Sequence, residues 1–121
     1  DWDRVVKELT DGEGCEHVVE LGGAGTLERS IRAARVGGAV SLIGVLSGAK
    51  AETPLPLVVM RNVRLQGVTV GSRDGFEAMC RAMARHHLRP VVDRVFDFDD
   101  VPAAFAHLEG GHHMGKVCIR F

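Results

Sequence analysis

The stretch that decides the fold is residues 17–25, which read His-Val-Val-Glu-Leu-Gly-Gly-Ala-Gly. Its β-branched start and glycine-rich end predict a buried strand that closes in a tight turn. Thr26 follows as a helix cap, Gly37-Gly38 marks the expected end of that helix, and residues 39–45 form a second apolar run. A strand, a helix and a strand joined by short glycine-rich connections make a βαβ unit with parallel strands.

Outward from this unit, helices and strands continue to alternate. The pattern predicts helices over 2–9, 74–88 and 99–108, strands over 63–70, 91–98 and 116–121, and a short helix or irregular segment over 54–60. The first three strands are apolar enough for a buried parallel sheet, with the third at its edge, whereas the last two suit another layer. The predicted fold class is α/β, a partial Rossmann-type parallel sheet with flanking helices.

The composition argues against several classes of partner. The 121 residues carry a formal net charge of −1, which favours neither nucleic acid nor an anionic membrane surface. No apolar run approaches the length of a membrane span, and the first residues show no secretory signal. Three scattered cysteines fit a reducing cytoplasm better than a disulfide scaffold. Because no initiator methionine is present, we expect a fragment or a processed chain.

The carboxyl ends of the three parallel strands are the expected ligand site, since open α/β sheets bind ligands there. These ends read Leu21-Gly22-Gly23, Ile43-Gly44-Val45 and Val68-Thr69-Val70. Glycine in the first two would let the backbone approach a flat ligand closely, and it would equally serve a plain turn. The residues alone leave both interpretations open.

The turn at residues 23–28 has the position of a phosphate-binding loop, after a strand and before a helix. Its sixth residue is Glu28 rather than Gly or Ala. The acidic residue expected at the end of the next strand is also missing, because Ile43-Gly44-Val45 occupies that place. A tight turn beside a ligand crevice is therefore the preferred interpretation.

The histidines and serines do not form a recognisable catalytic or metal site. His86-His87 and His112-His113 are adjacent pairs with no cysteine or carboxylate at a zinc-like spacing, so we expect no metal site in this chain. Ser47 lies between Leu46 and Gly48, which is not the setting of a nucleophile. No catalytic residue is predicted.

Several charged residues have structural explanations that compete with functional ones. Asp97, Asp99 and Asp100 suit the capping of a helix. Glu20 ends a strand, and pairing with a basic neighbour would account for it. Arg73 and Lys116 could each contact a pyrophosphate, although a surface charge is the simpler role for Arg73.

Several segments follow one another in an order that matches a known family. They are residues 9–20, 37–44, 70–73 and 115–119, which together extend over almost the whole chain. Residues 9–20 resemble the fourth strand of the cofactor domain in medium-chain dehydrogenases together with the segment that precedes it. Residues 37–44 resemble the strand that follows. The chain is most similar to the zinc-type alcohol dehydrogenase and quinone oxidoreductase branch.

The resemblance implies a nicotinamide cofactor, either NAD or NADP. The first two turns and the backbone at residues 69 and 70 would face the nicotinamide, and a basic residue of the last strand would lie near the pyrophosphate. The implied cofactor-binding residues are Leu21, Gly22, Gly23, Ile43, Gly44, Val45, Thr69, Val70 and Lys116.

The resemblance also implies the later part of a larger enzyme. Residues 1–90 would be the second half of a dinucleotide-binding domain, and residues 91–121 would return towards a catalytic domain, on which the C-terminal strands would pack. The family's first strand, phosphate loop and catalytic zinc ligands have no counterpart here, so zinc is possible only elsewhere in the parent protein. The strand near residues 65–70 would pair across a homodimer axis.

The expected function is hydride transfer between NAD(P) and a small alcohol, carbonyl or quinone substrate by a cytoplasmic enzyme. This chain alone would be inactive. Two alternatives remain open. A methyltransferase-type domain shares the order of helix, Gly-Gly and apolar strand at residues 35–43. A non-catalytic interaction module could use residues 65–70 as a pairing edge.

Overall fold

Helices and strands alternate along the chain in the predicted order. A computed structural model describes all 121 residues. Its elements are α1 (Trp2–Leu9), β1 (Cys15–Glu20), α2 (Leu27–Ala33), β2 (Ala34–Leu42), α3 (Leu55–Met60), β3 (Arg64–Gly67), α4 (Arg73–Arg85), β4 (Val92–Asp97), a 3₁₀ turn (Phe98–Asp100), α5 (Val101–Glu109) and β5 (Lys116–Arg120). They divide into two compact units, Asp1–Val70 and Gly71–Phe121.

The first unit is built on a three-stranded parallel sheet in the order β1-β2-β3. Helix α2 packs on β1 and β2, and α1 and α3 pack against α2. The fully buried side chains of Ile31 on α2 and Val40 on β2 form the centre of the core, with Val63 beside them. This arrangement confirms the parallel sheet with flanking helices and the edge position of the third strand within this chain.

The boundary between α2 and β2 corrects one prediction. Gly37 and Gly38 do not end the helix, which stops at Ala33, but lie inside β2. Cys15 pairs with Ala34 while His17 pairs with Ala39, so β2 has an irregular register at this point. Gly37 has a φ of +75°, which a glycine tolerates, and it lies within this irregular stretch of β2.

The second unit contains a separate two-stranded sheet, in which β4 and β5 run parallel. Helix α5 connects the two strands and packs on both of them. The prediction that the last two strands lie outside the first sheet is therefore confirmed. None of the helices of either unit has the length and apolar character that crossing a bilayer requires.

The end of α4 corrects a second prediction. The helix stops at Arg85, with His86 as its C-cap, rather than continuing to residue 88. His87 has a φ of +53° and donates its N–H to the carbonyl of Ala84, while Leu88 donates to Met83. These two hydrogen bonds form a Schellman motif, so His87 belongs to the cap and not to the apolar face of the helix.

The division into units falls before α4, between Val70 and Gly71. The boundary predicted from the sequence lies at residue 90. It separates part of a dinucleotide-binding domain from a segment that returns towards a catalytic domain. Compactness within this chain does not test that assignment, which stays a prediction.

Candidate functional site

The carboxyl ends of β1, β2 and β3 lie side by side at one end of the first sheet. In the parallel register Glu20 pairs with Leu42, which pairs in turn with Gly67. The three predicted turns, residues 21–23, 43–45 and 68–70, leave the strands directly after this register. All the predicted cofactor-binding residues except Lys116 therefore emerge from the same edge. We refer to these turns together as the carboxyl edge.

The turn after β1 is hydrogen-bonded to residues that directly follow the second turn. Leu46 donates its N–H to the Leu21 carbonyl at 3.2 Å, and Ser47 donates to the Gly22 carbonyl at 2.7 Å. The Ser47 hydroxyl also donates to the Gly22 carbonyl and accepts from the N–H of Gly25, at 2.7 and 2.8 Å. The loop after β2 thus holds the turn after β1 in place.

Close packing between the two turns explains their glycines. A Cβ atom on Gly44 would lie 2.7 Å from the Leu21 carbonyl oxygen. One on Gly23, whose φ is +81°, would lie 2.6 Å from the carbonyl oxygen of Gly48. The protein's own backbone therefore requires these glycines, and a ligand is not needed to explain them.

Glu20, the last residue of β1, is only 3 % exposed. One oxygen, Oε1, accepts from the N–H groups of Gly22 and Gly23 at 2.7 and 2.8 Å and from the Thr26 hydroxyl at 2.5 Å. The other oxygen accepts from the Ser30 hydroxyl. Burial raises the pKa of Glu20, but the hydrogen bonds from Ser30, Thr26 and the two N–H groups outweigh it and hold the pKa below its ordinary value.

The partners of Glu20 differ from the expected basic neighbour. The carboxylate is stabilised by neutral donors, which come from the turn and from α2. The available sequence signal was a carboxylate two residues before Gly22, followed by hydroxyl side chains at positions 26 and 30. Spacing alone does not reveal that these groups converge, because the direction of α2 relative to β1 decides it.

The N–H groups of residues 22–27 are all used within the protein. Gly22 and Gly23 donate to Glu20, Ala24 to the Gly48 carbonyl, Gly25 to the Ser47 hydroxyl, and Thr26 and Leu27 to the Gly23 carbonyl. A phosphate loop needs free N–H groups that point at the anion, and here an internal carboxylate takes that place. The structure thus agrees with the interpretation of this segment as a tight turn. The segment does not fit a pyrophosphate, because its N–H groups already have partners.

The outer surface of the carboxyl edge is apolar. The side chains of Leu21, Ile43, Val45 and Val70 are all exposed, as is that of Leu46 directly after the second turn. Exposed apolar side chains clustered beside the ends of parallel strands suit one face of a flat, partly apolar ring such as nicotinamide. The residues present therefore fit the ring end of the predicted cofactor.

The remaining sequence candidates lie in the second unit. Lys116 opens β5, where its N–H donates to the Val91 carbonyl and its side chain is exposed. Arg73 forms an exposed ion pair with Glu77, consistent with a surface role. His112 lies in the exposed loop before β5, and no group of three His, Cys, Asp or Glu side chains is arranged to hold a metal ion.

Asp93 is a structural residue that the sequence analysis did not single out. Its carboxylate contacts His107 Nε2 of α5 at 2.8 Å and accepts from the N–H of Met114 at 3.0 Å. The hydrogen bonds from His107 and Met114 lower the pKa of Asp93 from its ordinary value. The side chain thus ties β4 to α5 and to the loop before β5.

Comparison with known proteins decides the family. A family model described as zinc-binding dehydrogenase matches residues 2–119. The chain belongs to the zinc-binding dehydrogenase family. Family membership agrees with the resemblance drawn from the sequence, and it favours an oxidoreductase over a methyltransferase-type domain.

Two curated relatives illustrate the similarity. A zinc-type alcohol dehydrogenase-like protein of Schizosaccharomyces pombe is 32% identical over 98% of this chain and 36% of its own length. The L-threonine 3-dehydrogenase of Symbiobacterium thermophilum is 34% identical over 95% of this chain and 34% of its own length. The chain thus spans about a third of the length of the family members it matches.

Solved structures of similar proteins show the same fold. A putative alcohol dehydrogenase from Sinorhizobium meliloti superposes with a TM-score of 0.89 and 37% identity over 100% of this chain and 35% of its own. An NAD-dependent alcohol dehydrogenase superposes with a TM-score of 0.87 and 30% identity, over 100% of this chain and 35% of its own.

Proposed function

We propose that the complete polypeptide, meaning the natural protein at full length that contains these residues, is an NAD(P)-dependent oxidoreductase. It transfers hydride between the nicotinamide and a small alcohol, carbonyl or quinone substrate. The observation that carries the proposal is the apolar carboxyl edge of a parallel sheet in a chain of the zinc-binding dehydrogenase family. When bound, the nicotinamide cofactor supplies the hydride chemistry.

We propose that this chain contributes one wall of the cofactor crevice. The exposed side chains of Leu21, Ile43 and Val45 pack against the nicotinamide and exclude water from it, and the backbone at Thr69 and Val70 approaches its carboxamide. Support comes from the common edge at which these residues emerge. Gly22, Gly23 and Gly44 shape the turns, since their backbone packs between them.

The pyrophosphate end of the cofactor requires other residues. The N–H groups at residues 22–27 are occupied, so this chain's proposed contribution there is the exposed ammonium of Lys116. We propose that the phosphate loop and any zinc ligands lie elsewhere in the complete polypeptide, which is why these 121 residues alone are expected to be inactive.

We also propose a cytoplasmic homodimer that pairs through the edge strand near residues 65–70. Support for the pairing is that β3 lies at the sheet edge of this chain and has a neighbour on one side only. The proposed docking of residues 91–121 onto a catalytic domain is supported by an apolar cavity of about 200 Å³ between α5 and β5. Phe105, Leu108 and Ile119 are among the residues that line it.

The proposed function is tested by cofactor-dependent turnover of the complete polypeptide. We expect oxidation of NADH or NADPH, measured by absorbance, in the presence of a panel of aldehydes, ketones and quinones. The reverse reaction with alcohols is the second arm. Absence of turnover in both directions, together with absence of binding of either cofactor by calorimetry, would contradict the proposal.

A further inference from the structure

Two side chains that the proposed chemistry does not use connect the turns of the carboxyl edge. Glu20 gathers donors from the turn after β1 and from α2, and Ser47 bridges that turn to the loop after β2. Both of them act on backbone atoms of residues 22–25. Their positions therefore decide where the exposed side chains of the two turns lie.

Glu20 fixes the direction in which the chain leaves β1. Its oxygen Oε1 accepts three hydrogen bonds at 2.5 to 2.8 Å, two of them from consecutive N–H groups of the turn. Hydrogen bonds to an ionised acceptor are about twice as strong as those between neutral groups. Glu20 is only 3 % exposed, and both of its carboxylate oxygens already accept hydrogen bonds from within the protein, so we assign it no contact with the cofactor.

Ser47 fixes the spacing between the two turns. Its hydroxyl donates to the carbonyl of Gly22 and accepts from the N–H of Gly25. One oxygen atom is therefore hydrogen-bonded to residues at both ends of the turn. The backbone N–H of Ser47 donates to the same Gly22 carbonyl at 2.7 Å. No other side chain links the loop after β2 to the turn after β1 by two hydrogen bonds.

We infer that Glu20 and Ser47 are positioning residues, which set the orientation of the nicotinamide ring by holding the two turns without contacting the ring. The inference rests on the proposed function, because it assigns the ring to the carboxyl edge. Loss of either residue lets the turns shift relative to each other. A small shift misaligns the ring but leaves the remote adenosine end of the cofactor undisturbed.

The test measures two ligands on three variants of the complete polypeptide. The variants are Glu20→Gln, Ser47→Ala and the control Ser41→Ala, whose hydroxyl contacts His17 Nε2 on the sheet and not the turns. The ligands are the whole nicotinamide cofactor that the native protein binds and the matching ADP-ribose compound, which lacks the ring. Calorimetry gives the dissociation constant of each, and thermal unfolding reports stability.

We expect whole-cofactor binding to weaken about tenfold in Glu20→Gln, because a neutral amide replaces the charged acceptor. In Ser47→Ala we expect weakening of about threefold, from the loss of neutral hydrogen bonds. Binding of the ADP-ribose compound should stay unchanged in both, and Ser41→Ala should bind both ligands like the native protein. Ser47 is exposed, so its variant keeps the test valid if Glu20→Gln fails to fold.

Two results would overturn the inference. Unchanged binding of both ligands in the folded variants would show that the turns keep their geometry without these side chains. Equal weakening of both ligands would show a general structural role instead of a positioning one. A native protein that binds neither NAD(H) nor NADP(H) would instead contradict the proposed function, so the two failures are distinguishable.

Discussion

Gly44 lies just after the end of β2, and Gly67 is the last residue of the neighbouring strand β3. A methyl group added at each position would meet different surroundings. At Gly44 it would lie 2.7 Å from the Leu21 carbonyl oxygen, whereas at Gly67 it would have no neighbour within 4 Å. We expect Gly44→Ala to lower the free energy of unfolding by about 1–3 kcal/mol through overpacking. The matched Gly67→Ala should change it by less than about 0.5 kcal/mol.

Urea denaturation of the two variants beside the native protein measures this difference. Equal stability of Gly44→Ala and Gly67→Ala would mean that the turns are not packed as closely as the structure describes. It would also restore the interpretation in which Gly44 serves a ligand.

The buried Glu20 predicts a direction for the dependence of stability on pH. Its folded-state pKa lies below the ordinary value of 4.5, so the folded protein binds fewer protons than the unfolded chain in this range. The stabilisation is fully present above pH 4.5 and is lost as the pH falls through the folded-state pKa. Asp93, whose pKa is also lowered, adds a contribution of the same sign.

Comparison with Glu20→Gln isolates the share of Glu20. We expect the free energy of unfolding of the native protein to fall more steeply on acidification than that of the variant. Denaturant titrations at neutral pH and at several values below 4.5 measure the two slopes. Parallel slopes would show that the Glu20 carboxylate is not preferentially stabilised in the folded state.

Sequence patterns located the glycine-rich turns better than they explained them. The turns at residues 21–23 and 43–45 were found from strand ends and glycine, and the structure places both at one edge. Glu20 was noticed, but its donors were not, because Thr26 and Ser30 reach it only after α2 folds back on β1. The spacing of these residues is visible in the sequence, but the direction of α2 relative to β1, which brings them together, is not.

At the scale of elements, the free side of β3 predicts how two copies would pair. Val68 donates its N–H to the Leu42 carbonyl at 2.9 Å. In a parallel strand, the N–H groups of every second residue form hydrogen bonds with the same neighbouring strand. The N–H of Val68 points to β2, so the N–H of the preceding Gly67 points away from it. Gly67→Pro should therefore remove an outward donor, spare the β2–β3 ladder, and raise the dissociation constant of the proposed homodimer of the complete polypeptide.

Light scattering over a dilution series measures the dimer, with Gly67→Ala as the matched control that keeps the N–H. We expect the proline variant to dissociate at protein concentrations where the alanine variant stays dimeric. A proline variant as dimeric as the control would contradict pairing through this edge. A proline at residue 68 would be a poorer probe, because it breaks the bond to Leu42.

Element boundaries show what local patterns miss. The apolar runs predicted β1 and β2, yet Gly37-Gly38 was assigned to a helix end although β2 begins at Ala34. The early start of β2 depends on pairing with Cys15, which is remote in sequence. The end of α4 was likewise misplaced because the cap uses His87 in a conformation that glycine usually adopts.

At the scale of the whole molecule, we propose that the chain supplies one wall of a cofactor crevice. Its match covers about a third of the length of the relatives, such as 36% of the protein from Schizosaccharomyces pombe. Sequence reasoning identified the family and the sheet, and it also predicted contacts with the cofactor. Those contacts stay a prediction, because patterns along one chain report its own backbone and core and not the shape of a bound ligand.

The central claim is that the carboxyl edge of the first sheet faces the nicotinamide of a bound cofactor. Hydrogen–deuterium exchange of the complete polypeptide, with and without saturating NADH or NADPH, tests it most directly. The account predicts slower exchange in peptides that span residues 21–25, 43–48 and 68–70, while peptides of α1 exchange at an unchanged rate. Cofactor binding that leaves all three turns unprotected would contradict it.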